Sequence, residues 1–132
     1  LCRDLGVQDD VRFLGKLDVI EEVLSVSDLF LLPSEKESFG LAALEAFACE
    51  VPVISSNTGG IPEVNIHGKT GFLSEVGDVE DMASNALFIL KDENLPTFKH
   101  HALERAKDFD ISKILPMYES FYDRIVEGSL VD

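Results

Sequence analysis

Two carboxylates eight positions apart, Glu37 and Glu45, bracket the stretch Ser38-Phe39-Gly40-Leu41-Ala-Ala-Leu44. The stretch follows an apolar run and opens a helical pattern over about 39–49. Ser38 suits an N-cap, which leaves the amides of Phe39, Gly40 and Leu41 free at the positive end of the helix dipole. Such a helix start accepts an anion, and a phosphate fits it. Gly40 allows the backbone to come close to a ligand. Glu45 is the only charge between Leu41 and Cys49 on a helix apolar all round. A buried, unpaired carboxylate is costly, so donors are expected beside it, and sugar hydroxyls are suitable. Eight residues at helical rise span at most about 12 Å. Phosphates at the helix start and a carboxylate at each end would suit a nucleotide diphosphate sugar. An acid in a first turn plus a Glu paired internally with Arg or Lys is the plainer alternative, and the residues alone leave both open.

The elements that must position these residues alternate. Val11-Arg-Phe-Leu-Gly15 reads as a strand after the turn residues Gln8-Asp-Asp10. Asp18 is placed to cap a helix over about 19–26, with Glu21 in the capping-box position and Val19, Ile20, Val23 and Leu24 as its apolar face. Leu29-Phe-Leu-Leu32, ended by Pro33, suits a strand buried on both faces of a parallel sheet. Val51-Pro-Val-Ile-Ser55 is the next strand, with Pro52 near its start. Asn57-Thr-Gly-Gly60 turns the chain, and Pro62 fits the first turn of a short helix. Gly68-Lys-Thr-Gly71 is another turn, leading to the last strand, Gly71-Phe-Leu-Ser74. Helices follow over about 79–91, capped by Asp78, then 95–108 and 113–126. Strands separated by helices predict an α/β fold, a Rossmann-like parallel sheet with flanking helices. The carboxyl ends of such strands are where ligands bind, and Glu37 to Leu41 follow one of them.

Composition narrows the function classes. The 132 residues include 11 basic and 25 acidic side chains, a formal charge of −14. That balance disfavours nucleic acid or an anionic membrane as the main partner. The length suits one domain. No apolar run is long enough to span a membrane, and no signal-peptide pattern opens the sequence. Cys2 and Cys49 have no metal-site spacing and fit a reducing, cytoplasmic setting. His67, His100 and His101 show no ligand pattern. Leu1 to Gly6 reads as the last turn of a helix stopped by Gly6, so the sequence is expected to be a partial domain, 1–132, with chain missing upstream.

Several segments, in order, resemble the retaining GT-B glycosyltransferases of family 4. Glu37-x7-Glu45 with Ser38-Phe39-Gly40-Leu41 inside it resembles the family signature. Val11-Arg-Phe-Leu-Gly15, Ser27-Asp28-Leu29 through Pro33-Ser34, Val51-Pro-Val-Ile54, Gly59-Gly60-Ile-Pro-Glu63 and Gly68-Lys-Thr-Gly71-Phe-Leu73 are similar to its other conserved segments at the same spacings. Phe13-Leu-Gly-Lys16, Ser34 to Gly40 and Gly59 to Val64 most resemble the bacterial subgroup that joins N-acetylglucosamine to L-malate in bacillithiol synthesis. The resemblance implies the C-terminal, donor-nucleotide half of a two-domain enzyme. The N-terminal acceptor domain and the Arg and Lys that clamp the diphosphate would lie upstream.

The resemblance also implies roles. Glu37 would contact the donor sugar as the catalytic residue. The stretch Ser38, Phe39, Gly40 and Leu41 would bind the donor, its amides serving the diphosphate and sugar. Glu45 would hold the ribose hydroxyls, and Lys16 would lie near the base. No essential metal or other cofactor is implied, only a UDP-sugar donor such as UDP-N-acetylglucosamine. By itself the 132-residue chain is expected to be inactive. A non-catalytic nucleotide-binding or oligomerisation module on the same fold is the alternative. By the same resemblance, strands 11–14, 29–32, 53–55 and 71–73 would be the third to sixth of the order 3-2-1-4-5-6. The first two, absent and by this resemblance the strands the partial domain lacks, would separate 11–14 from 29–32, leaving an open edge that is expected to drive self-association, with 11–14 sliding in beside 29–32, or further chain supplying the strands, as the other routes. A lone chain with 11–14 unpaired and 29–32 at a solvent-facing edge is the outcome contrary both to this strand numbering and to the truncation inferred with it. Glu50 stands where the family usually has Gly after the helix, and a left-handed conformation would strain it. In the last helices Phe98, Phe109, Ile114, Met117, Tyr118, Phe121, Tyr122 and Ile125 read first as core, with part of the final stripe exposed.

Overall fold

Val53–Ser56 (β2) is buried along its whole length, as a strand must be when it has a parallel neighbour on each side and helices on both faces. Its neighbours are Phe30–Leu32 (β1) and Gly71–Ser74 (β3), giving a three-stranded parallel sheet in the order β1-β2-β3. The computed structural model describes residues 1–128. Six helices complete the described residues: α1 (Glu21–Leu24), α2 (Leu41–Ala48), α3 (Ile61–Val64), α4 (Val79–Ile89), α5 (Leu95–Asp108) and α6 (Ile111–Val126).

The sheet separates two apolar clusters. On one face Val53 packs with Leu24 of α1, Ala43, Ala46 and Phe47 of α2, Val64 of α3 and Ala102 of α5. On the other, Ile54 packs with Ile89 of α4 and Phe98 of α5, joined by Phe72, Met82 and Ala86. The alternation of Val53 and Ile54 between clusters is the two-residue period of a strand. The result is a Rossmann-like layering of helices on both faces of a parallel sheet.

Four expectations are corrected. Residues 11–14 form no strand: all four are exposed, Phe13 to 87%, and pair with nothing among the described residues. Apolar alternation makes a strand only where a ladder partner satisfies its backbone groups. The segment does not slide in beside β1, so the strand numbering loses its first member. β1 itself is covered on one face only; Leu31 is 56% exposed, because β1 is an edge strand among the described residues and an open apolar groove lies between Leu31 and Val79, Met82, Ala83 and Ala86 of α4. The first helix is one turn, Glu21–Leu24, with Ile20 rather than Asp18 at its N-cap, and only Leu24 is buried. The apolar stripe of α6 is exposed from Ile111 to Val126 apart from half-buried Ile114, so it is not core among the described residues.

Other readings hold. Asp78 caps α4 by accepting from the Asp81 amide at 3.0 Å. Pro62 sits in the first turn of α3, and α5 spans 95–108. Gly6, at φ 70°, closes the first turn, with Gly6 N–H donating to Arg3 O and Val7 N–H to Cys2 O. Pro116 lies within α6 without ending it, and Asp110 caps that helix. The hydroxyl and then the amide of Ser112 hold the Asp110 carboxyl below its usual range.

Glu50 adopts φ 61°, the one positive-φ residue other than glycine among those described. The Val51 amide reaches Ala46 O at 2.9 Å and the Glu50 amide reaches Phe47 O at 3.0 Å, the paired bonds of a Schellman stop. The exposed Glu50 side chain makes no ion pair among the described residues, so nothing offsets its strain. Glu50→Gly is expected to raise stability by about 1 kcal/mol. Urea denaturation would read this as a higher midpoint at unchanged slope.

Candidate functional site

β1 ends at Leu32, and the chain leaves the sheet through Pro33 to Gly40 before α2 begins. Gly40, not Ser38, is the N-cap of α2, at φ 91°. This left-handed turn is the reason a glycine stands there: a Cβ would meet Ile61 only at an ordinary 3.6 Å, so conformation rather than space excludes other residues. The helix thus starts two residues later than the Ser38 reading places it. Within the described residues the amides of Phe39, Gly40, Leu41 and Ala42 donate to no protein acceptor. All four lie at the carboxyl end of β1, where the dipole of α2 favours an anion.

Glu37 is half-buried beside these amides. Its Oε1 accepts from the Ser38 amide at 3.2 Å. The backbone beneath it is fixed by the Asn57–Gly60 turn. Thr58 Oγ1 donates to Glu35 O at 3.4 Å, and the Gly60 amide donates to Glu37 O, also at 3.4 Å. The turn approaches so closely that a Cβ on Gly59 would lie 1.7 Å from Glu37 O, and one on Gly60 2.4 Å from Ser38 O. Two glycines therefore seat the Glu37 loop. Gly59→Ala is expected to push Glu37 out of place and to cost about 2 kcal/mol, the scale of a strained backbone position. The combination of a lower denaturation midpoint and loss of any turnover that Glu37 supports would check it.

Glu45 departs from expectation. It is exposed rather than buried and makes no hydrogen bond or ion pair among the described residues. It stands one turn along α2 from Leu41, itself 65% exposed, so both lie on the face of α2 turned away from the sheet. Glu37, Ser38, Phe39, Gly40, Leu41 and Glu45 are thus one contiguous surface. Lys16 is not fixed to it: it is exposed, in the unpaired segment after 11–14, with no bond to any of them. An apolar groove of about 550 Å³ adjoins the surface, lined by Phe39, Leu41, Leu44, Phe109, Met117 and Phe121.

Sequence reasoning missed Asn65, the best-connected buried polar side chain of the described residues. It lies at the exit of α3, fully buried, and bonds both β2 and β3. A lone amide between Val64 and Ile66 was the available signal. Among the described residues no three His, Cys, Asp or Glu side chains gather as a metal site, and no helix is long and apolar enough to cross a membrane.

A parallel sheet with helices on both faces is an architecture in which ligands bind at the carboxyl ends of the strands, and the Glu37 to Leu41 loop leaves β1 at that end. The profile of the family "Glycosyl transferases group 1" matches residues 1–108, and the chain belongs to that family. Over 128 residues it is 50% identical to the N-acetyl-alpha-D-glucosaminyl L-malate synthase of Bacillus anthracis, which covers 92% of this chain and 32% of that protein. It is 33% identical to D-inositol 3-phosphate glycosyltransferase 2 of Catenulispora acidiphila, over 96% of this chain and 30% of that one. Among solved structures, the sucrose-phosphate synthase of Thermosynechococcus elongatus superposes with a TM-score of 0.85 at 29% identity, covering 96% of this chain and 33% of its own. Anabaena HepE in complex with UDP gives a TM-score of 0.84 at 28% identity, over 92% and 35%. The chain spans about a third of the length of the curated relatives it matches.

Proposed function

We propose that this chain is the donor-nucleotide part of a retaining glycosyltransferase that moves N-acetylglucosamine from UDP-N-acetylglucosamine to L-malate. The observation that carries the reading is the joining of Glu37, four undonated amides and Glu45 into one surface at the carboxyl end of β1. The 50% identity to the malate synthase supports the choice of sugar and acceptor. UDP in the HepE complex supports the choice of nucleotide.

In this reading the amides of Phe39, Gly40 and Leu41 hold diphosphate and sugar oxygens, taking charge that develops as UDP leaves. Glu37 accepts a sugar hydroxyl at the reacting end. Glu45, free and exposed, accepts the ribose hydroxyls, and Lys16 lies near the base once the rest of the polypeptide orders its segment. The acceptor domain completes the cleft over the exposed face of α2. Alone, this chain presents one wall of a site and is inactive. The open edge of β1 and the uncovered stripe of α6 favour self-association of the isolated chain.

The test is UDP release by the complete reading frame, with UDP-N-acetylglucosamine, with and without L-malate. Release that requires L-malate and yields an α-linked product supports the reading. Release with inositol phosphate instead would keep the transferase and overturn the acceptor. UDP binding with no transfer to any acceptor would favour the non-catalytic module.

A further inference from the structure

We propose that Arg105, on α5 behind the site, is the positioning residue that sets the Glu37–Phe39 loop; the inference rests on the reading of Glu37 as a donor-sugar contact. Arg105 reaches the loop by two routes. Its Nε donates to Val64 O at 3.1 Å, and its Nη2 donates to Glu63 O. These carbonyls end α3, a helix of four residues that cannot satisfy them itself. α3 begins directly after Gly59-Gly60, whose backbone abuts the carbonyls of Glu37 and Ser38. Where α3 sits therefore decides where Glu37 sits.

The second route runs through aromatic rings. The guanidinium lies over the Phe109 ring, 4.7 Å from its centroid. The Phe109 ring meets the Phe39 ring edge-on at 6.0 Å. Nη1 is bonded to Asp108 Oδ2 at 3.3 Å, which fixes the fork on its own helix. One planar cation thus holds both flanks of the loop: the carbonyl side of Glu37 through α3, and Phe39 through Phe109. A lysine keeps the charge but not the fork or the flat face over the ring. No hydrogen bond or ion pair joins α5 to Glu45 among the described residues, and Glu45 and the Gly40 and Leu41 amides belong to α2 itself, so a displaced loop should disturb the sugar contact and spare the UDP contacts.

The experiment compares Arg105→Met and Arg105→Lys in the complete reading frame. Calorimetry with UDP gives affinity and the number of binding-competent sites, and turnover is expressed per site. Arg105→Met is expected to lose at least tenfold in turnover per site, with UDP affinity within threefold of wild type; Arg105→Lys should fall between. A merely structural role would lower the number of sites and leave turnover per site unchanged, and that result would overturn the proposal. Hydrogen exchange reads the same point without activity. The amides of Gly60, Glu63 and Asn65 should exchange at least tenfold faster in Arg105→Met, or in Arg105→Lys if the Met variant does not fold, while β2 keeps its protection. Unchanged exchange there overturns the proposal even if the protein transfers no sugar, whereas faster exchange in a protein without transferase activity upholds the positioning and condemns only the functional reading.

Discussion

Replacing Glu37 with alanine in the complete reading frame should lower turnover about a hundredfold or more, while UDP affinity stays near wild type. The magnitude is that of losing one interaction aimed at charge developing in the transition state. Glu37 is placed for this: half-buried, beside the amides at the start of α2, on a backbone fixed by the Gly59-Gly60 turn. Glu45→Ala should do the reverse, weakening UDP about tenfold or more and sparing turnover at saturation, as loss of one or two charge-assisted hydrogen bonds would. The ribose is remote from the bond that breaks, so its contacts contribute equally to ground and transition states. The pair of variants separates the two carboxylates by kinetic signature rather than by size of effect. Wild-type kinetics in both would show that the surface at the end of β1 is not the donor site.

The order of the elements around Glu37 is more legible in the sequence than their geometry. Strand, loop and helix around Glu37 were legible because an apolar run, a polar loop and an apolar helix have distinct periods. The N-cap was misplaced because Ser38 is the better capping residue by type, while the left-handed turn at Gly40 depends on how the loop meets Ile61 and the Gly59-Gly60 turn. Burial of Glu45 was misjudged for a different reason. A helix apolar all round implies cover on all sides, and within the described residues one side of α2 has none. The same cause misled the reading of 11–14, β1 and α6. Each has apolar residues whose partners are not among the described elements, and pattern cannot distinguish a covered face from an uncovered one. By contrast β2, α4 and α5 find their partners within the chain, and their positions agree with the pattern to within two residues.

The largest stability effect is expected at Asn65. Its side chain is fully buried between β2 and β3. Nδ2 donates to Ser55 Oγ at 2.8 Å, Val53 O at 3.1 Å and Phe72 O at 3.3 Å, sharing two hydrogens among three acceptors. Oδ1 accepts from Thr70 Oγ1 at 2.8 Å, and that hydroxyl in turn accepts from the Ile66 amide at 2.8 Å. One amide thus ties the loop between α3 and β3 to both strands. Asn65→Ala removes these bonds in a place water does not reach and takes a partner from the Ser55 and Thr70 hydroxyls, at about 1–3 kcal/mol for each, while Val53 O and Phe72 O keep their places in the β2–β3 ladder. The two together bring the loss to about 2–6 kcal/mol, a large share of the roughly 5–15 kcal/mol that holds a domain folded. Asn65→Asp keeps the shape yet buries a carboxylate oxygen against two carbonyl oxygens, Val53 O and Phe72 O, with only the Ser55 hydroxyl able to turn and donate to it, so it should be at least as damaging as alanine. Denaturant titration would show both midpoints falling at unchanged slope. An aspartate variant as stable as wild type would mean that Nδ2 is not the donor to Ser55, Val53 and Phe72, and that the two strands are held at this level by backbone pairing alone.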